Sequence, residues 1–168
     1  MSLTEQAISE RDQDVSIARM TEHDLLEVVD IEESSGLSRW GWAAYYAELQ
    51  GSNKHLMLVA RLGEGEDIPL GSRLAGYIVA RLGADELHIN NVAVRDRYRR
   101  SGIGRALLDF ILAEGKRSGV SRAFLELRAG NAAALALYES CGFRVNCRRG
   151  YYFSVPVDDA RVMITDLS

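Results

Sequence analysis

The sequence predicts a mixed α/β domain, a mostly antiparallel central sheet of about seven strands with about four helices, in which the fourth strand is bulged and splayed. Three observations carry that expectation. Apolar residues alternate with period two in some segments and recur at helical spacing in others, in the order β-α-α-β-β-β-α-β-α-β-β. No repeat, low-complexity stretch or linker breaks that order. The 168 residues, 47% of them hydrophobic and 26% charged, suit one core of ordinary size. Residues 1–14 are polar and aperiodic and read as a loose N-terminal tail, which leaves 15–168 as a single domain.

"VSIARM" (15–20) alternates like a strand. Thr21 and Asp24 then have the spacing of a capping box, ahead of a helical stripe of Leu25, Val28, Val29 and Ile31 or Glu32. A second helix, 38–50, begins with a dense run of aromatics. "HLMLVARL" (55–62) and "RLAGYIVARL" (73–82) are apolar strands joined by a loop rich in turn formers. In "ELHINNVAV" (86–94) the apolar phase slips at Asn90–Asn91, the mark of a β-bulge and the reason to expect a splayed strand. A helix over 103–118 carries Ile103, Leu107, Phe110 and Ile111 at i, i+4, i+7 and i+8, and Gly119 ends it. "RAFLELR" (122–128) is a strand, 131–141 a helix closed by Gly142, and the chain finishes as two strands. The stretch 86–128 has the form of a right-handed parallel crossover.

The formal net charge of −4 argues against a general nucleic-acid binder, which is usually basic. No apolar run approaches the ~18 residues that span a bilayer, and no signal-peptide core follows Met1. Cys141 and Cys147 match no metal-binding pattern and suit a reducing cytoplasm. The expectation is therefore a cytoplasmic protein with no metal, nucleic-acid or membrane partner, present as a monomer or weak dimer.

Against that acidic background, "RYRRSGIGRALL" (98–109) stands out. Arg95, Arg97, Arg99, Arg100 and Arg105 place five cations within eleven residues, between a strand and a helix N-terminus. Helix N-termini carry unpaired N–H donors and partial positive charge, and glycines at 102 and 104 let backbone approach a ligand closely. Together these are the physics of a polyphosphate site. Neither a Walker loop nor a Rossmann fingerprint is present.

The spacing Arg99-x-x-Gly102-x-Gly104 resembles the pyrophosphate signature of the GNAT acetyltransferase superfamily. "LELRAGNAAALALYESCGF" (125–143) and "RRGYY" (148–152) resemble the RimI-type ribosomal-protein-alanine N-acetyltransferases, with Gly130 and Gly150 where that family often has serine and asparagine. The resemblance implies a GNAT fold and acetyl-coenzyme A as co-substrate. It assigns cofactor contacts to the backbone of Val92, Ala93 and Val94, to Arg99, Arg100, Ser101, Gly102, Ile103, Gly104 and Arg105, and to Asn131. It makes Glu126 the general base and Tyr138 the general acid. Tyr151 and Tyr152 match an acceptor-binding element, and Asn90 is placed with them. Independently of family, Glu126 is a lone carboxylate in an apolar strand, costly unless paired or functional. Asn131 and Tyr138 are seven apart on a helix, nearly two full turns. His88 is a spare base candidate, more simply a structural histidine. Trp40, Trp42, Tyr45 and Tyr46 could frame an acceptor slot or face the core.

The acceptor implied is a protein N-terminal amine, a ribosomal protein being one candidate. At pH 7 roughly 14% of α-amines are neutral against about 0.04% of lysine amines, so one carboxylate suffices as base. Two alternatives stay open: a polyamine or aminoglycoside acceptor, suited to an acidic protein, and a non-catalytic acyl-CoA-binding module.

Overall fold

The computed structural model describes residues 6–8, 14–37, 39–64, 68–154 and 157–168, and side chains from Asp14 onward except at 149 and 151–158. In chain order the elements are β1 (Gln6–Ile8), β2 (Val15–Arg19), α1 (Leu25–Ser34), α2 (Gly41–Leu49), β3 (His55–Leu62), β4 (Leu74–Leu82), β5 (Glu86–Val94), α3 (Ile103–Arg117), β6 (Arg122–Arg128), α4 (Ala132–Ser140), β7 (Arg144–Ser154) and β8 (Val157–Asp166). Every strand and helix read from the sequence is present. The addition is β1, which lies inside the segment expected to be a loose tail and pairs antiparallel with β2. The strand expected to be fourth is therefore β5.

The chain forms two compact units, one of residues 1–79 and 91–107, the other of 80–90 and 108–168. In the first, the strand order is β1-β2-β3-β4-β5, and β2 and β3 pair antiparallel from Val15↔Leu62 to Arg19↔Leu58. Leu25, Val28 and Ile31 of α1 and Tyr45 of α2 are completely buried, and share one core with Met57 and Val59 of β3, Leu74, Tyr77 and Val79 of β4 and Ala93 of β5. The capping box forms: Asp24 Oδ2 accepts the Thr21 N–H at 2.8 Å. Asp24 also pairs with Arg61 at 3.0 Å, which offsets its burial. At Gly76 the strands run unusually close. A Cβ there would lie 2.6 Å from the Ala93 carbonyl oxygen, so only glycine fits without moving β5.

In the second unit β5 pairs parallel with β6, β6 antiparallel with β8, and β8 antiparallel with β7. Strand β6 alternates cleanly: Ala123, Leu125 and Leu127 are buried, while Phe124, Glu126 and Arg128 are half-buried. Leu108 and Ile111 of α3 are fully buried. Gly115 lets the helix approach Leu87 and Leu167, whose methyl carbons would stand 3.0 and 3.2 Å from an added Cβ.

The apolar slip read at Asn90–Asn91 coincides with a polar residue at an interior position. Burial alternates through β5 without interruption, with Leu87, Ile89, Asn91 and Ala93 inside. The apolar phase breaks because Asn91, a polar residue, takes an interior position. The parallel ladder with β6 runs from Glu86↔Arg122 to Ile89↔Leu125, while β6 itself continues to Arg128. Among the described residues no helix is long and apolar enough to cross a membrane.

Candidate active site

In the first unit, β5 leads into a 3-10 turn at Asp96–Tyr98 and then into α3. Between them the backbone is forced into unusual conformations. Arg100 has φ +59° and Gly102 φ +83°, the left-handed region that costs a non-glycine residue energy. An alternation of this kind turns successive N–H groups toward one concavity, which suits an anion. The Ser101 hydroxyl donates to the Tyr98 carbonyl and pins the turn. The first helical bond runs from the Ala106 N–H to Gly102 O at 2.9 Å, so the amides of residues 103–105 belong to the first turn, where helical acceptors are lacking.

The arginines of this loop divide by role. Arg95 is structural: it pairs with Asp30 and with Glu27 (3.4 Å), and its Nε donates to the Leu74 carbonyl at 2.8 Å. This takes Arg95 out of the group of cations that the sequence suggested for a polyphosphate. Arg97 lies over the Tyr98 ring at 5.3 Å. Arg99, half-exposed, pairs with Asp96 at 3.1 Å and donates from Nε to the Val94 carbonyl at 3.2 Å. Arg100, Ser101, Gly102 and Arg105 are exposed, Gly104 is half-buried and Ile103 is buried. Of the β5 segment, Val92 and Val94 are half-buried and Ala93 is inside. Val92–Val94 lie beyond Ile89, where the ladder of β5 with β6 ends.

A buried polar network stands behind that strand. Glu32, 1% exposed, accepts the Trp40 and Gly41 N–H groups at 3.0 and 3.1 Å, together with the Tyr45 hydroxyl. The Tyr45 oxygen also lies 2.7 Å from the Tyr77 hydroxyl and accepts from Asn91 Nδ2 at 2.9 Å. Burial, together with these neighbours, raises the Tyr45 pKa far above the usual tyrosine value, and burial raises Tyr77 in the same direction. Both therefore act as neutral hydroxyls. Tyr45 is thus a core residue rather than a wall of an acceptor slot. Trp40 stacks on it at 5.4 Å, whereas Trp42, 44% exposed, stacks on Tyr46 at 4.9 Å. Sequence reasoning missed Glu32, Tyr77, Asn91 and Gly76. The signal for Gly76 was a glycine inside an apolar strand. The other three gave none beyond polarity at interior phase.

In the second unit, Glu126 projects from the middle of β6 on the half-buried face, between Phe124 and Arg128 in the alternation. His88 of β5 stacks flat on Phe124, with ring centroids 4.4 Å apart and planes 6° apart. Burial lowers the His88 pKa. The Glu126 carboxylate pulls it the other way, Arg81 adds to the lowering and Glu86 opposes it. Asn90 Nδ2 reaches His88 Nδ1 at 3.4 Å. Asn131 is the N-cap of α4, its Oδ1 accepting the Ala134 N–H at 3.1 Å. Tyr138, two turns on, is buried against Phe143. Burial first, and Cys141 second, push its pKa up to about 12, so the phenol holds its proton throughout the physiological range. Tyr151 and Tyr152 lie in β7, with side chains outside the described residues. Among the described residues no cluster of His, Cys, Asp and Glu is placed to hold a metal.

The chain belongs to the acetyltransferase (GNAT) family, whose model matches residues 25–143. Within that family it is similar to the [ribosomal protein bS18]-alanine N-acetyltransferase of Escherichia coli K12, 43% identical over 90 residues, which cover 53% of this chain and 59% of the relative. It is also similar to the N-alpha-acetyltransferase RimI of Mycobacterium tuberculosis, 35% identical over 145 residues, 82% of this chain and 84% of that one. The crystal structure of the E. coli ribosomal-protein-S18-alanine N-acetyltransferase superposes with TM-score 0.76 at 29% identity, covering 92% of this chain and 94% of the other.

Proposed function

We propose that this protein transfers the acetyl group of acetyl-coenzyme A to the N-terminal α-amine of a protein, with a ribosomal protein beginning in alanine as the favoured acceptor. One observation carries the reading beyond family. Glu126 sits on the half-buried face of β6 just past the end of the β5 ladder, and the same unit holds Tyr138 as a buried, protonated phenol. The similarity to ribosomal-protein N-acetyltransferases supports the acceptor class.

The transfer runs by direct attack while both substrates are bound. The amine lone pair attacks the thioester carbonyl carbon, and Glu126 takes the proton that the nitrogen sheds, directly or through water. The carbon–sulfur bond breaks, and the leaving thiolate takes a proton from the Tyr138 hydroxyl, which recovers one from solvent as coenzyme A departs. The backbone of Val92–Val94 supports the acetyl and pantetheine amides, with the N–H near Val92 as oxyanion donor. Arg99, Arg100, Arg105 and the amides of Ser101–Gly104 take the diphosphate, and Asn131 offers its amide nitrogen to the pantetheine arm.

The test is acetyl-CoA consumption over a panel of peptides and small amines. Turnover with peptides beginning in alanine or serine supports the proposal. Turnover confined to polyamines or aminoglycosides, or binding with no turnover, overturns it. In the active protein, Glu126→Gln lowers kcat by about 10²–10⁴ while the acetyl-CoA Kd stays as it was. An undiminished kcat removes Glu126 from the base role.

A further inference from the structure

Asn90 carries an anomaly. Its amide oxygen is enclosed, with no exposed surface to speak of, yet has no hydrogen-bond partner. Buried acceptors of this kind are rare and costly when left unpaired. With the His88 proton on Nε2, the ring's Nδ1 is an acceptor and takes the amide nitrogen, which leaves the oxygen on the other side. Asn90 Nδ2 donates to His88 Nδ1, and the His88 ring is held flat against Phe124.

The position of Asn90 gives the anomaly a use. His88 pairs with Phe124 and Ile89 with Leu125, where the parallel ladder ends. One step further along the two strands come Asn90 and Glu126. Both lie on the half-buried face, since both are in phase with His88 and Phe124. The unsatisfied acceptor therefore stands one residue beyond the last rung, at the level of the base.

Resting on the acetylation reading above, we propose that Asn90 Oδ1, aimed by His88, accepts an N–H of the incoming amine and makes the protein select primary over secondary amines. A neutral primary amine has one lone pair and two N–H groups. The lone pair forms the new C–N bond, one N–H surrenders its proton to Glu126, and the other bonds to Asn90 Oδ1. A secondary amine has a single N–H, which Glu126 must have, so Asn90 Oδ1 stays unpaired in its complex. Asn90 is a binding and positioning residue in this scheme, and His88 acts only through it.

The experiment compares kcat/KM for an alanine-starting peptide and for its N-methylalanine counterpart, in the wild type and in Asn90→Leu. The wild type favours the primary amine, and in Asn90→Leu the primary-over-secondary ratio falls about tenfold, the worth of one hydrogen bond. His88→Phe keeps the ring stack, releases the amide and lowers the same ratio in the same direction. Asn90→Ala serves if the leucine variant does not fold, and an unchanged acetyl-CoA Kd marks a folded protein. A ratio unchanged in the variants, or an equal loss for both peptides, overturns the inference. No turnover of any amine by the wild type sinks the acetylation reading instead, so the two failures are distinct.

Discussion

Glu32 lies in the core with less exposure than most leucines, and its charge is tolerable only because three donors converge on it. The Tyr45 hydroxyl is the joint of that arrangement, shared with Tyr77 and Asn91. Tyr45→Phe keeps the ring's packing and removes the joint. We expect a loss of about 1–3 kcal/mol in stability, read as a lower denaturant midpoint with an unchanged m-value. No loss would mean that water replaces the hydroxyl. Tyr138 gives a pH prediction. Its folded pKa of about 12 lies above the free tyrosine value of 10.0, so between those pH values the native state holds a proton that the unfolded chain has lost. Stability therefore falls as pH rises from 10 towards 12, and Tyr138→Phe flattens that fall. The same variant lowers kcat without altering the rate profile below pH 10, where Tyr138 does not titrate. The position of Glu126 on the half-buried face of β6 was legible in the sequence, as a lone carboxylate in an alternating strand, and so was that of Tyr138, seven residues beyond Asn131 on one helix. Glu32 was not, because it falls on a helical stripe at a phase where the chain also offers Ile31, and no pattern announces which donors a buried carboxylate will meet.

At the scale of elements, the turn between β5 and α3 was largely readable: two glycines, a cluster of cations and the onset of helical periodicity place it correctly. Which arginines serve it was not readable, since Arg95 is claimed by Glu27 and Asp30, residues more than sixty positions away in sequence. The phase slip in β5 has a related cause. Asn91 can sit inside only because Tyr45, on another element, accepts from it. Gly76 is the element-level feature with the sharpest consequence. Gly76→Ala sets a methyl group against the Ala93 carbonyl and displaces the β5 backbone that the proposal uses for the cofactor's amides. We expect weaker acetyl-CoA binding by calorimetry, with peptide KM less affected. An unaltered cofactor Kd would show that β5 absorbs the push.

For the whole molecule, the order of strands and helices followed from periodicity alone, because each amphipathic segment must find a partner layer and few arrangements allow it. The sequence reading left out β1, three residues whose pairing with β2 is backbone chemistry that no apolar pattern advertises. Charge at this scale excludes more than it assigns: a net of −4 speaks against broad nucleic-acid binding but is neutral between a peptide and a small cationic acceptor. The bonds from Glu32 to the amides of Trp40 and Gly41 have a further outcome. They staple the start of α2 to the last turn of α1, which closes the connection at its base like a handle. Lengthening such a handle costs only about 0.6 kcal/mol per doubling. Longer or differently charged versions of this connection are therefore expected to leave the two anchored helix ends where they are.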